Sequence, residues 1–253
     1  RGNDQLENLI EIDTRELRDH RLAARAISGF SKSIRTLRRH RFDVAIDLQG
    51  LVKSAALTKL SGAKMRYGFA KNSLREPASR FLLTRTFSVA DRMHVIRKNL
   101  ALATEALGLP LAEGPPNFRI NTEDKHRIEA ERIIDVVGPD FAILNPGGGW
   151  PTKLWPAANF GKLADLLWQE HGLRSVLCVG PRESALADEA ASASCVGHPT
   201  IAHPSLKGLY ELARRAKIYV GGDTGPTHIA VAAGAPIAGI FGPTEWWRNG
   251  SLN

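Results

Sequence analysis

The chain reads as an α/β protein built on parallel sheets, and three observations predict this. Short, continuously apolar segments alternate with stretches whose apolar residues recur at helical spacing. Strands that are apolar throughout, rather than at every second residue, belong to parallel sheets covered by helices on both faces. Near the middle, Pro110, Gly114, Pro115 and Pro116 interrupt the alternation as an interdomain linker does. With 253 residues there is room for two modest domains, divided here as 1–115 and 116–253.

Leu9-Ile10-Glu11-Ile12 suits a short strand, and a basic helix is predicted from Leu22 to His40. Ile27, Phe30, Ile34 and Leu37 form its apolar stripe, leaving Arg35, Arg38, Arg39 and the following Arg41 for the outer face. Phe42 to Leu48 reads as a buried strand that turns at Gln49-Gly50 into a helix from Leu51 to Leu60. Gly62 ends that helix, because glycine accepts the left-handed conformation of a C-terminal cap. Arg66 to Phe69 is the next strand, and a helix covers His94 to Leu107 before Gly108.

The second half is more regular. Strands are expected at Phe141–Leu144, Ser175–Val179, Thr200–Ile201, Lys217–Val220 and Ile237–Phe241. Helices are expected from Pro156 to Gly172 (stripe Phe160, Leu163, Ala164, Leu167), over Glu183–Ala191, over Leu206–Ala216 and from Pro226 to Gly234. Ligands of such sheets bind at the carboxyl ends of the strands, where each Gly-rich turn of this chain lies.

Composition narrows the function classes. A chain 43% hydrophobic and 24% charged is neither fibrous nor disordered, and it contains no apolar run long enough to span a bilayer. Two cysteines, Cys178 and Cys195, make no disulfide framework or metal-type spacing, which favours a reducing compartment. The net charge of +8 is uneven, with 25 basic and 18 acidic residues in 1–140 against 9 and 8 in the remainder. The first half therefore either meets an anion or carries a solvated basic face. Nucleic acid is the weakest of the anionic partners, since no stacking aromatics interleave the arginines.

Four segments carry chemistry. In Gly221-Gly222-Asp223-Thr224-Gly225-Pro226-Thr227-His228, glycines admit a ligand close to the backbone and a helix N-terminus presents N–H groups to an anion. Threonine hydroxyls and His228 share that space, an assembly suited to a diphosphate; the plainer reading is a tight turn with Asp223 as helix cap. Pro146-Gly147-Gly148-Gly149 followed by Lys153 again exposes amide donors beside a mobile cation, without the spacing of a P-loop. Trp150 and Trp155 flank it as rim packing of the sheet. Glu183, after Gly180-Pro181-Arg182, either accepts from a ribose or adenine or serves only the helix dipole. In the basic half, Asp47 to Ser54 lies at a strand end, and Arg75 in Arg75-Glu76-Pro77 suits a carboxylate or phosphate unless it pairs with Glu76 or another acid. His94 and Arg97 share a helix face, and Asn249-Gly250-Ser251 matches a glycosylation acceptor that means little without a secretion signal.

Taken in order, Phe42 to Ala55, Arg75-Glu76-Pro77 with His94, Lys153-Leu154-Trp155-Pro156, Gly222 to His228 and Phe241-Gly242-Pro243-Thr244 resemble the lipopolysaccharide heptosyltransferases, glycosyltransferase family 9. The resemblance covers Phe42 to about Asn249. It implies a GT-B fold of two Rossmann-like domains facing across a cleft, the N-terminal one incomplete. The C-terminal domain would take ADP-L-glycero-D-manno-heptose, with Asp223, Thr224, Gly225 and His228 on the heptose and diphosphate, Gly148, Gly149 and Lys153 on the phosphates and Glu183 on the nucleoside. Arg75 and Lys53 of the N-terminal domain would bind the anionic Kdo-lipid A acceptor. The resemblance further implies no cofactor or metal, no nucleic acid, a monomer, and peripheral contact with the inner membrane from the cytoplasm.

Two departures qualify it. Family members open with a strand and a Gly-rich loop ending in Gly-Asp, whose Asp is the expected base; no such segment precedes Leu9, so the resemblance puts the base upstream of residue 1. Members also continue past the Gly-Pro-Thr turn, which implies a sequence cut short at both ends. Asp47 does not match the base. Two alternatives stay open: another GT-B sugar-nucleotide enzyme, either an epimerase or a different glycosyltransferase, and a nucleotide- or anion-binding module without turnover.

Overall fold

The computed structural model describes residues 6–12, 23–90, 92–111, 114, 116–118 and 120–251, with the side chains of 23–28 left aside. The chain divides into two compact units at Gly114/Pro115. No helix among the described residues is long and apolar enough to cross a membrane.

The first unit has a three-stranded parallel sheet, order β1-β2-β3, from Val44–Ile46, Met65–Phe69 and Arg85–Phe87. Helices α1 (Ala23–Arg39), α2 (Val52–Leu60) and α3 (Val95–Leu107) accompany it. The predicted start of α1 at Leu22, the Ile27 side chain of its stripe and Pro115 of the linker lie outside the described residues. Arg35, Arg38, Arg39 and Arg41 are exposed as expected, although Arg38 also donates from Nε to the Leu60 carbonyl at 3.0 Å, closing the end of α2. The expected strand at Leu9–Ile12 is absent: the segment pairs with no strand among the described residues, and Leu9 is exposed. Strand β3 has no counterpart in the sequence reading, because Arg85-Thr86-Phe87 lacks an apolar run and owes its conformation to β2. A small core joins Phe69, Val89 and Leu102.

The second unit carries five parallel strands in the order β6-β5-β4-β7-β8. They are β4 (Phe141–Asn145), β5 (Arg174–Cys178), β6 (Thr200–Ala202), β7 (Ile218–Gly222) and β8 (Ile237–Ile240). Alternate residues of each strand serve opposite faces. Phe141, Ile143, Val176, Cys178 and Tyr219 enter one buried cluster with Ala130, Ile134, Leu209 and Leu212. Ala142, Leu144, Leu177, Val179 and Val220 enter another with Phe160, Ala164, Ala187 and Ala190. The first face is thus covered by α4 (Asp124–Val137), α7 (Leu206–Ala213) and α8 (Gly225–Ala232), the second by α5 (Ala157–His171) and α6 (Ser184–Ser192). Burial on both faces is why these strands are apolar without alternation.

Helix α4 has no counterpart in the sequence reading. Its buried stripe is His126, Ala130, Ile134 and Val137, a spacing whose apolar signal is diluted by a histidine that instead accepts from the Glu123 N–H at 3.0 Å and caps the helix. Pro156 stands at the cap of α5, one residue before the first turn.

Candidate functional site

From β4 the chain proceeds outward through β5 to β6, then crosses to β7 on the other side, so the order reverses at β4 and β7. Ligands of open parallel sheets lie where the order reverses, outside the strands' carboxyl ends. The turns after β4 and β7 meet there. A Cβ on Gly148 would lie 3.0 Å from Thr224 Cγ2, one on Gly222 3.3 Å from the Lys153 carbonyl, and one on Gly242 3.3 Å from the Thr152 carbonyl. The short 3₁₀ turn Pro151–Lys153 is therefore seated on the ends of β7 and β8 because Gly222 and Gly242 leave room for its backbone.

That seating delivers Lys153 to Asp223. Its Nζ lies 2.8 Å from Asp223 Oδ2 and 3.5 Å from the Asp223 carbonyl. Asn249 Nδ2 donates to the same Oδ2 at 3.2 Å, and His228 Nε2 stands 3.5 Å from Oδ1. The Asp223 side chain is only 4% exposed. Burial pushes its carboxyl upward, but the hydrogen bond from Lys153, with Thr244 and Asn249 beside it, outweighs this and holds the group below the ordinary carboxylate range. The Thr244 hydroxyl is close to this carboxylate but outside ordinary hydrogen-bond geometry.

Around this pair the remaining donor candidates are arranged by backbone. Thr224, not Asp223, is the cap residue of α8, and its hydroxyl lies 3.5 Å from that of Thr227. Thr227 turns inward, donating to the Gly222 carbonyl and lying 3.3 Å from the hydroxyl of the buried Tyr219, whose own ionisation burial pushes strongly upward. Added Cβ atoms at Gly149 and Gly225 would meet open space, so their backbone faces a void. Glu183 folds back from the cap of α6: its Oε2 accepts from the Gly180 N–H at 2.8 Å, and its carboxylate fills the space that a side chain at Gly147 would need. Its carboxylate thus stands at the ends of β4 and β5, one strand over from Lys153. A pocket of about 140 Å³ opens beside Asp223, lined also by Thr227, His228, Phe241, Trp246 and Asn249. Among the described residues, no three His, Cys, Asp or Glu side chains converge as metal ligands.

In the first unit Asp47 closes the turn after β1. It is 3% exposed, and its Oδ1 accepts from the N–H groups of Gln49 at 3.0 Å and Gly50 at 3.3 Å. Gly50 takes φ +69°, and a Cβ there would lie 3.1 Å from Leu74 Cδ2. Against this glycine the Arg75-Glu76-Pro77 loop docks: Glu76 N–H donates to the Gly50 carbonyl at 3.1 Å, and Glu76 Oε2 accepts from the Val52 N–H at 2.7 Å. Glu76 therefore caps α2 and does not pair with Arg75; Arg75 is exposed, as is Lys53 in the first turn of α2.

The family model described as glycosyltransferase family 9 (heptosyltransferase) matches residues 30–253. The chain belongs to glycosyltransferase family 9. It is similar to lipopolysaccharide heptosyltransferase 1 of Pseudomonas aeruginosa, 31% identical over 208 residues that cover 81% of this chain and 55% of the relative. The same enzyme of Salmonella typhimurium is 29% identical over 210 residues, covering 81% and 63%. The chain thus spans little more than half to under two thirds of these relatives' lengths. Among solved structures, the Escherichia coli heptosyltransferase WaaC with ADP superposes with a TM-score of 0.78 at 25% identity, over 97% of this chain and 74% of that one. The same enzyme with ADP-2-deoxy-2-fluoro heptose gives 0.77 at 25% identity, over 94% and 74%. The α/β, parallel-sheet architecture is that of these GT-B heptosyltransferases.

Within this family 9 chain, the structure gathers Gly148, Lys153, Asp223, Thr224 and His228 into one site and leaves Gly149 and Gly225 open beside it. One expectation is corrected: Trp150 does not pack at the rim but is 69% exposed after the glycine run. Two of the plainer alternatives also fall, since Asp223 does not cap its helix and Arg75 does not pair with Glu76. Trp155 does pack, edge-on to Phe160 at 4.9 Å. His94 caps α3, its Nδ1 accepting from the Ile96 N–H at 3.2 Å. Asn249 was visible only as part of a glycosylation triplet; its contact with Asp223 spans 26 residues and depends on α9 (Trp246–Asn249).

Proposed function

We propose that this chain acts as an inverting glycosyltransferase, most like heptosyltransferase I, moving L-glycero-D-manno-heptose from ADP-heptose to the Kdo-lipid A inner core of lipopolysaccharide. The observation that carries the reading is the convergence of Lys153, Asp223 and His228 at the reversal point of the second sheet, in a family 9 chain.

In this reading residues 116–253 hold the donor. Lys153, the N–H groups of Gly148 and Gly149 and the N-terminus of α8 at Thr224 and Gly225 take the diphosphate and neutralise it as ADP leaves. Asp223 and His228 face the sugar, and Glu183 faces the nucleoside. Residues 1–115 hold the acceptor, whose anionic groups Arg75 and Lys53 bind. An acceptor hydroxyl attacks the anomeric carbon and gives up its proton to a base, the bond to the diphosphate oxygen breaks with ADP leaving as the anion, and configuration inverts. No residue of this chain is assigned as the base. The basic first unit works at the cytoplasmic face of the inner membrane as a monomer. Release of ADP on mixing with ADP-heptose and Kdo-lipid A tests the reading; no release from the full-length protein would contradict it.

A further inference from the structure

We propose that α9 is a sugar-recognition element, in which Trp246 is the platform for the donor's sugar ring and Asn249 is the positioning residue that turns Asp223 toward the ring hydroxyls. The proposal rests on the nucleotide-sugar reading above and names the part of that site which selects the sugar.

Trp246 is 69% exposed, yet it lines the same pocket as the buried Asp223. A large apolar ring left open beside a buried carboxylate in a concave site marks a ligand surface. The chemistry of the pocket says which part of a nucleotide sugar it takes. Its polar lining is Asp223, Thr227, His228, Asn249 and Ser251 beside an apolar wall of Val231, Ile237 and Phe241, with no lysine or arginine, so a diphosphate would meet a carboxylate without a cation there. A sugar ring is neutral, presents C–H groups from its face and hydroxyls from its rim, and matches an indole face flanked by a carboxylate, an amide and an imidazole.

The hydrogen bonds around Asp223 are divided to the same end. Oδ2 is occupied twice, by Lys153 Nζ at 2.8 Å and Asn249 Nδ2 at 3.2 Å. Among the described residues Oδ1 carries no hydrogen bond of ordinary geometry: His228 Nε2 stands 3.5 Å away and the Thr244 hydroxyl lies close to the carboxylate, so Oδ1 can still accept from a hydroxyl. Asn249 and Lys153 together fix the carboxylate's rotation, so that one oxygen serves the protein and the other the ligand. Asn249 comes to Asp223 because α9 is a single turn closed at Gly250, whose N–H donates to the Trp246 carbonyl at 2.7 Å and whose missing Cβ would lie 2.6 Å from that oxygen.

Calorimetric titrations with ADP and with ADP-L-glycero-D-manno-heptose test this on the unsubstituted chain, Trp246→Ala, Trp246→Phe and Asn249→Ala, with melting curves confirming that each is folded. Trp246→Ala and Asn249→Ala are expected to keep the affinity for ADP and to lose roughly tenfold for ADP-heptose, with Trp246→Phe between. Equal loss for both ligands, or no loss for either, would overturn the inference while leaving the donor reading standing. An unsubstituted chain that binds neither ligand would overturn the donor reading and this inference with it.

Discussion

In residues 115–253 several cations, including the one at the candidate site, are ion-paired. Lys153 pairs with Asp223, Arg214 with Glu211, Arg215 with Glu131 at 3.0 Å and Lys217 with Asp140 at 2.9 Å. In residues 1–114, by contrast, Arg35, Arg39, Arg41, Lys53 and Arg75 stand exposed without an ion pair among the described residues. Charge follows the same line, with 21 basic and 12 acidic residues before the division and 13 against 14 after it. A paired cation contributes to the fold and must exchange partners to bind; an unpaired one contributes only field until an anion arrives. The second unit therefore keeps a neutralised, ordered site, whereas the first keeps open charge.

The largest effect that separates the units is expected at Lys153. Lys153→Ala leaves the buried Asp223 carboxylate without its cation, and should cost about 2 kcal/mol in urea unfolding as well as ADP affinity. If stability were unchanged, the site would not be the self-neutralised unit described. Next comes Asp165, whose carboxylate accepts from Ser194 Oγ at 2.6 Å and from the N–H groups of Cys195, Val196 and Gly197. Partial burial opposes its ionisation, but these four donors hold its pKa far below the ordinary value. Asp165→Ala should destabilise by about 1–2 kcal/mol.

The same geometry fixes an acid response. Asp165 and Asp223 both ionise below the ordinary aspartate range in the folded chain, so their contribution is complete above about pH 5 and falls away as pH drops toward the folded values. Urea midpoints at pH 7 and pH 3 should differ in the unsubstituted chain, and less so in Asp165→Ala. In the first unit Arg75→Ala and Lys53→Ala should leave stability within about 0.5 kcal/mol while raising KM for the acceptor. A fall in stability there would erase the contrast. The smallest effect is chemical: burial pushes the Cys178 thiol up to about 12, while Cys195 is exposed, so a thiol reagent should modify Cys195 alone in the native state.

How much of this was legible in the sequence follows the same physics. Strands β4, β5 and β7 could be read because burial on both faces makes them apolar throughout, and the glycine turns at their ends named most of the candidate site. Strand β3 could not, since a polar edge segment takes its conformation from its neighbour. Helix α4 was hidden by the His126 and Ala130 in its buried stripe, although their spacing with Ile134 and Val137 is helical. Glu76 capping α2 and Asn249 holding Asp223 act across 24 and 26 residues, and contacts at that separation appear only once the chain is folded. The motif supplied Asp223 itself; the tertiary structure supplied what orients it.

The central claim is that the second unit holds a nucleotide diphosphate sugar on the Lys153–Asp223 pair. Calorimetry of ADP-L-glycero-D-manno-heptose against UDP-GlcNAc, on the unsubstituted chain and on Lys153→Ala, tests it most directly. The account predicts binding of ADP-heptose in preference to UDP-GlcNAc, with that binding lost in Lys153→Ala. Equal affinity for both nucleotide sugars, or ADP-heptose binding unchanged by Lys153→Ala, would contradict it.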